Sequence, residues 1–120
     1  MNKLEYLQHL GQIVYHNIIV ETEIIGFKLR FTLIDGSFID VYLPAKESSG
    51  FAFHWEHRHI DKLFYRYDNY PDIKWRNIKT FPYHFHNGRQ DKVIAAHFDK
   101  EVIEGFKDFM DFVRSKLKIK

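Results

Sequence analysis

The stretch Phe27-Lys28-Leu29-Arg30-Phe31-Thr32-Leu33-Ile34-Asp35-Gly36-Ser37-Phe38-Ile39-Asp40-Val41-Tyr42-Leu43 decides the fold class. Phe27, Leu29, Phe31 and Leu33 alternate with Lys28, Arg30 and Thr32. Successive side chains of a strand point to opposite faces, so this spacing predicts a strand with one apolar and one polar side. Asp35-Gly36 separates it from a second extended run, Phe38 to Leu43. Glycine supplies the positive φ of a tight turn, so the two runs read as an antiparallel hairpin.

Working outward, strand signals recur on both sides. Upstream, Val14, Ile18, Val20 and Ile24 are spread among polar residues between Ile13 and Ile25. Before them, Asn2 to Leu10 reads as a short helix ending at Gly11. Downstream, Pro44 to Gly50 combines turn-forming residues into a loop. Phe51-Ala52-Phe53-His54-Trp55-Glu56-His57 alternates again, and Leu63 to Asp68 is the next strand. Asn69 to Pro82 has no sustained period and reads as a long surface loop, a length often associated with function. Tyr83 to His86 resumes a strand, Asn87-Gly88 marks a turn, and Lys92 to Phe98 completes the set.

The period then changes. Val102, Ile103, Phe106, Phe109, Met110, Val113 and Leu117 follow the three-and-four spacing of an amphipathic helix, with Asp99 as its expected cap. The expected fold is α+β: an antiparallel meander of about six or seven strands, with a short N-terminal helix and the C-terminal helix packed on one face. With 120 residues and no linker or repeat, residues 1–120 read as one domain.

Composition narrows the classes of function. The formal net charge is +2, so overall charge demands neither a nucleic acid nor a membrane. Aromatic residues make up 18% of the chain, too many for a disordered segment. There is no Cys, which excludes disulfides, a thiol nucleophile and thiolate metal sites. The start of the chain lacks a signal-peptide core, and no apolar run approaches the roughly 20 residues that cross a bilayer. The expected location is the cytoplasm, with no membrane partner.

The eight His are unevenly placed: five fall in His54/His57/His59 and His84/His86. Alternation puts His84 and His86 on one face, about 6 to 7 Å apart along the strand. Arg66 and Asp68 likewise share a face opposite Tyr65 and Tyr67. If the segments pair, two imidazoles, a guanidinium and a carboxylate converge. Three readings of His84-x-His86 stay open: edge or structural histidines, a metal site completed by His54, Asp68 or His57, and general acid and base work. Arg66 reads either as an ion pair with Asp68 or as a phosphate ligand.

Charge distribution supports an anionic ligand. Residues 46–92 carry nine Lys or Arg and six acids, while the first 45 residues carry three and five. Within the positive segment, Tyr70, Trp75 and Phe81 lie among Lys74, Arg76 and Lys79, a mixture suited to stacking on bases beside phosphates. A solvated loop anchored by buried aromatics fits the same pattern.

Two motifs carry a family resemblance: Tyr65-Arg66-Tyr67-Asp68-Asn69-Tyr70-Pro71 and Thr80-Phe81-Pro82-Tyr83-His84-Phe85-His86-Asn87-Gly88. With the Asp35-Gly36-Ser37 hairpin, the sequence over roughly residues 27–98 resembles the TumE-like toxins of prokaryotic toxin–antitoxin systems. That family often carries a His pair after the motif proline, where this chain has Asp72-Ile73. The resemblance implies a cytoplasmic toxin opposed by a cognate antitoxin protein and acting on RNA, with Arg66, Asp68, Asn69, His84 and His86 as the matching polar positions.

The leading expectation is a metal-independent endoribonuclease needing no cofactor. One of His84 or His86 removes the 2′-hydroxyl proton, His57 or His54 protonates the leaving oxygen, and Arg66 stabilises the phosphorane. Asp68 and Asn69 orient the site, while Asn69, Lys74, Trp75, Arg76 and Lys79 contact RNA. The alternatives are a non-enzymatic protein- or nucleic-acid-binding module, a His-based metal-dependent phosphodiesterase, and an inactive folded remnant. Homo-oligomerisation is left open.

Overall fold

The computed structural model describes residues 1–43 and 50–117. The expected Pro44 to Gly50 loop falls almost wholly outside the described residues. The chain runs α1 (Lys3–Val14), β1 (Ile19–Ile25), β2 (Lys28–Leu33), β3 (Phe38–Tyr42), β4 (Ala52–His57), α2 (Arg58–Asp61), β5 (Leu63–Asp68), a 3₁₀ turn (Ile73–Trp75), β6 (His84–Gly88), β7 (Val93–Ala95) and α3 (Val102–Leu117). The seven strands form one antiparallel sheet in chain order, β1 to β7, so the α+β meander is present as the alternation predicts.

The sheet buries one face. Leu29, Phe31, Leu33, Ile39, Val41, Phe53, Trp55, Tyr65, Tyr67 and Phe85 point into the core, where they meet Leu7 of α1 and Phe106, Phe109, Met110 and Val113 of α3. Aromatic rings supply much of that contact. Phe53 packs 5.9 Å from both Phe106 and Phe109, and Phe112 reaches Tyr65 at 5.3 Å and Phe85 at 5.4 Å. Burying large aromatic side chains is the main apolar driving force for the fold. The helices are tied to each other by Tyr15, whose hydroxyl donates to the Asp111 carboxylate at 2.9 Å. That bond and burial hold the phenol protonated well beyond its ordinary range.

Local chemistry sets the ends of these elements. Asn2 and Glu5 form a reciprocal capping box at the start of α1. Gly36 adopts φ +87 in the β2–β3 turn, the conformation its motif predicts. α1 does not end at Gly11 as expected. It continues to Val14, and Gly11 is buried because a Cβ there would lie 2.7 Å from the Phe31 ring. This glycine serves helix-to-sheet approach, not termination. At α3, Glu101 rather than Asp99 caps the first turn, accepting from the amides of Ile103 and Glu104. Asp99 sits earlier and accepts from Glu101 N–H. β6 also runs through Gly88, which is still paired with Phe64, so the turn falls after Asn87-Gly88 rather than on it.

Gly105 is the second close approach. A Cβ there would lie 2.5 Å from the Asp99 carbonyl oxygen, which itself accepts from the Tyr67 hydroxyl at 2.9 Å. Helix propensity alone makes Gly105→Ala stabilising by about 1 kcal/mol. The steric conflict reverses the sign: the substitution is expected to destabilise by about 1–3 kcal/mol. Urea unfolding of the two proteins measures it, and an unchanged or higher midpoint in the alanine variant contradicts the packing.

Candidate active site

Strand pairing places a row of polar side chains across the face that the helices leave open. Arg30 stands opposite Asp40, Asp40 opposite His54, His54 opposite Arg66, and Arg66 opposite His86. The adjacent row sets Ala52 beside Asp68 and Asp68 beside His84. Alternation on β4, β5 and β6 therefore brings Arg66, Asp68, His54, His84 and His86 together once the meander order is fixed.

The two ends of the row differ. Asp40 receives a two-pronged bond from Arg30, at 2.7 and 2.8 Å, and Lys28 approaches it at 3.6 Å. One carboxylate there is shared by two cations. At the other end, Arg66 Nε donates to Asp68 Oδ2 at 3.0 Å, while its Nη1 lies 3.4 Å from His54 Nδ1. The other Asp68 oxygen accepts the Tyr70 amide at 2.9 Å and lies 3.3 Å from His84 Nε2. Asp68, His84 and His86 are buried, whereas Arg66 keeps about a third of its side chain in solvent.

Each imidazole is oriented by its neighbours. His84 Nδ1–H donates to the Pro82 carbonyl at 2.9 Å, and His86 Nδ1–H donates to the Gln90 carbonyl at 3.0 Å. These bonds direct both Nε2 atoms inwards. Asp68 thus stands opposite Nε2 of His84 and the Pro82 carbonyl opposite Nδ1, so both ring nitrogens face oxygen atoms. His86 Nε2 has no protein partner among the described residues. Burial pushes its proton affinity below the ordinary value, aided by repulsion from neighbouring His84, so its lone pair is available near neutrality. His54 is lowered mainly by burial as well, and its Nε2 is committed to Glu56 at 3.1 Å. The Arg58 guanidinium in turn holds Glu56 ionised, with a pKa of about 2.

His57 does not join this group. It shares strand parity with Phe53 and Trp55, so it faces the helix side, with Nε2 2.8 Å from Asp35 and Nδ1 2.8 Å from Asp61. The loop residues are more dispersed. Trp75 packs edge-on against His86, with ring centroids 6.2 Å apart, and so brings the 3₁₀ turn to the site. The Asn69 side chain accepts the Phe51 amide at 2.9 Å and ties β4 to the end of β5. Lys74 and Lys79 are exposed, and Arg76 bonds back to the Ile73 carbonyl.

Fold and site together define a small α+β protein with an imidazole-rich polar cluster around Arg66 and Asp68 on the open face of a meander sheet. The family model described as Toxin TumE matches residues 4–117, and the chain belongs to that family. Its role is accordingly that of a toxin. No curated protein and no solved structure matches the chain. Among the described residues, no helix is long and apolar enough to cross a membrane.

His57 makes a separate prediction. Burial opposes its protonation, but the Asp61 and Asp35 carboxylates beside the ring outweigh it and raise its pKa above the ordinary value. Tyr65 and Lys116 line the same crevice. A raised pKa means the charged bridge contributes fully below pH 6.5 and is lost as pH rises through the folded-state value. His57→Gln is therefore expected to lower stability at pH 6, by about 1 kcal/mol or less given its partial exposure. The difference should shrink by pH 8.5. Denaturation curves at the two pH values check this, and a pH-independent difference contradicts it.

Proposed function

We propose that this toxin cleaves RNA without a metal cofactor, using the Arg66/His84/His86 centre, and is held in check by a cognate antitoxin. Arg66 engages the scissile phosphate through the exposed part of its guanidinium, which suits bidentate binding of phosphate oxygens and does not titrate. His86 Nε2 takes the 2′-hydroxyl proton as that oxygen attacks phosphorus. His84 gives its proton to the departing 5′-oxygen as the P–O5′ bond breaks, leaving a 2′,3′-cyclic phosphate and a 5′-hydroxyl. Asp68 orients His84 and Arg66 through its two oxygens, and His54 positions Arg66.

The observation that carries this reading is the unequal state of neighbouring imidazoles. His84 has an oxygen acceptor at each ring nitrogen, whereas among the described residues His86 has an acceptor at Nδ1 alone. Dividing acid and base roles requires two titratable groups in unlike surroundings, and the hydrogen bonding of these two rings differs in that way. The ring centroids are 5.0 Å apart, within the scale of one phosphodiester group.

A second reading has its own support. One ligand atom each from Asp68, His84 and His86 lie within 4.8 Å of one another. Backbone bonds at both Nδ1 atoms are the orientation that presents Nε2 to an ion, and this N,N,O set suits a borderline transition metal such as Zn²⁺. Stoichiometric metal in purified, active protein, lost together with cleavage on chelation, supports that reading over the first.

In cells, induced wild type is expected to arrest growth and create new RNA 5′-ends. His86→Gln and Arg66→Lys, compared at equal folded amounts by circular dichroism, should lower the cleavage rate about 10²–10⁴-fold, the usual contribution of a positioned acid or base. Arrest by both folded variants without loss of potency contradicts the nuclease reading and supports a non-enzymatic toxin.

A further inference from the structure

A cavity of about 460 Å³ opens beside Arg66 and Asp68, away from the His54 side of the row. Its walls include Phe27, Tyr42, Phe51 and Tyr70, brought from four separate segments: the β1–β2 turn, the end of β3, the residue before β4 and the residue after the Asp68-Asn69 pair. Phe51 is buried and floors the hollow, but Phe27 is 66% exposed, Tyr70 70% and Tyr42 40%. Three large rings held in water around one hollow gain little from folding, so core packing does not account for them. The volume lies within the usual range of small-ligand sites.

The polar edge of the cavity selects the chemistry. The Arg66 guanidinium carbon lies 5.6 Å from the centre of the Tyr42 ring, so an anion site and an aromatic surface are contiguous. The fitting occupant joins a flat, π-rich body to an anionic group by a short link. A nucleotide has that form, with a base for the aromatic walls and a phosphate for Arg66. We propose that this hollow is a nucleobase subsite, holding the base of the nucleotide whose phosphate Arg66 engages. The proposal rests on the RNA-cleavage reading and adds to it a base-dependent contact that the acid–base pair does not provide. Stacking tolerates every base, so the subsite contributes affinity chiefly, with a bias towards the larger π-surface of purines.

The test uses the full chain and 2′-O-methyl tetranucleotides, which cannot be cleaved through the 2′-oxygen. One carries adenine throughout, and a matched set is abasic at one position at a time. Binding is followed by NMR of the tyrosine rings. One abasic position is expected to weaken binding about tenfold or more, with shifts at Tyr70 and Tyr42. Tyr70→Ala and Phe27→Ala, both at exposed positions, should abolish that difference, and Tyr70→Trp should retain it. Equal binding of all abasic forms, no binding at all, or an undiminished base effect in both alanine variants overturns the subsite. So does equal competition by an acidic peptide containing phenylalanine, which would assign the hollow to a protein partner. Base-dependent binding without cleavage of the matching 2′-hydroxyl RNA sinks the nuclease reading and leaves the subsite standing. Cleavage with no base dependence does the reverse.

Discussion

The site depends on one constraint, the antiparallel register that sets Arg66 between His54 and His86. A slip of one residue on β5 would turn Arg66 and Asp68 inwards and put Tyr65 and Tyr67 in solvent. The core prevents that slip. Tyr67 is fully buried, contacts Phe51, Phe53 and Phe98, and donates its hydroxyl to the Asp99 carbonyl just before α3. The bond that seats α3 therefore also fixes which way the Arg66 side chain points.

The open face combines two kinds of polar group. Around Asp40, one carboxylate meets two cations, Arg30 through two short bonds and Lys28 at 3.6 Å. Around Asp68 the accounting differs. Both of its oxygens are engaged, and beside them His86 Nε2 has no protein partner among the described residues. An unpartnered imidazole nitrogen, with His54 and His86 both lowered in proton affinity, is what makes the Asp68 end the candidate site. Trp75 closes over His86 from the loop, and the aromatic hollow lies at the Asp68 end. Phosphate and base would thus be met by different parts of one continuous surface.

Much of this was legible in the sequence because a strand's period is short. Leu63 to Asp68 forms β5 at the expected bounds, and the shared face of Arg66, Asp68, His84 and His86 follows from counting by two. The same count excludes His57 from that face, since it has the parity of Trp55; its nearness to His54 in sequence obscured the signal. Gly11 was read as punctuation because a glycine's local preferences do not reveal that a Phe31 ring will press on it. Glu101 caps α3 in place of Asp99 because the helix begins at Val102, and the Asp99 side chain instead accepts the Glu101 amide. The ring cluster of Phe27, Tyr42 and Tyr70 had no local signature, as those residues meet only through the strand order.

In the proposed reaction, neighbouring imidazoles and one guanidinium break RNA by transfer to its own 2′-oxygen. Its most direct measurement is the end chemistry of a defined RNA incubated with purified protein in excess chelator. Cleavage is expected at an undiminished rate, with 2′,3′-cyclic phosphate on one fragment and a 5′-hydroxyl on the other. Intact RNA in chelator, or 5′-phosphate ends when metal is restored, would contradict it.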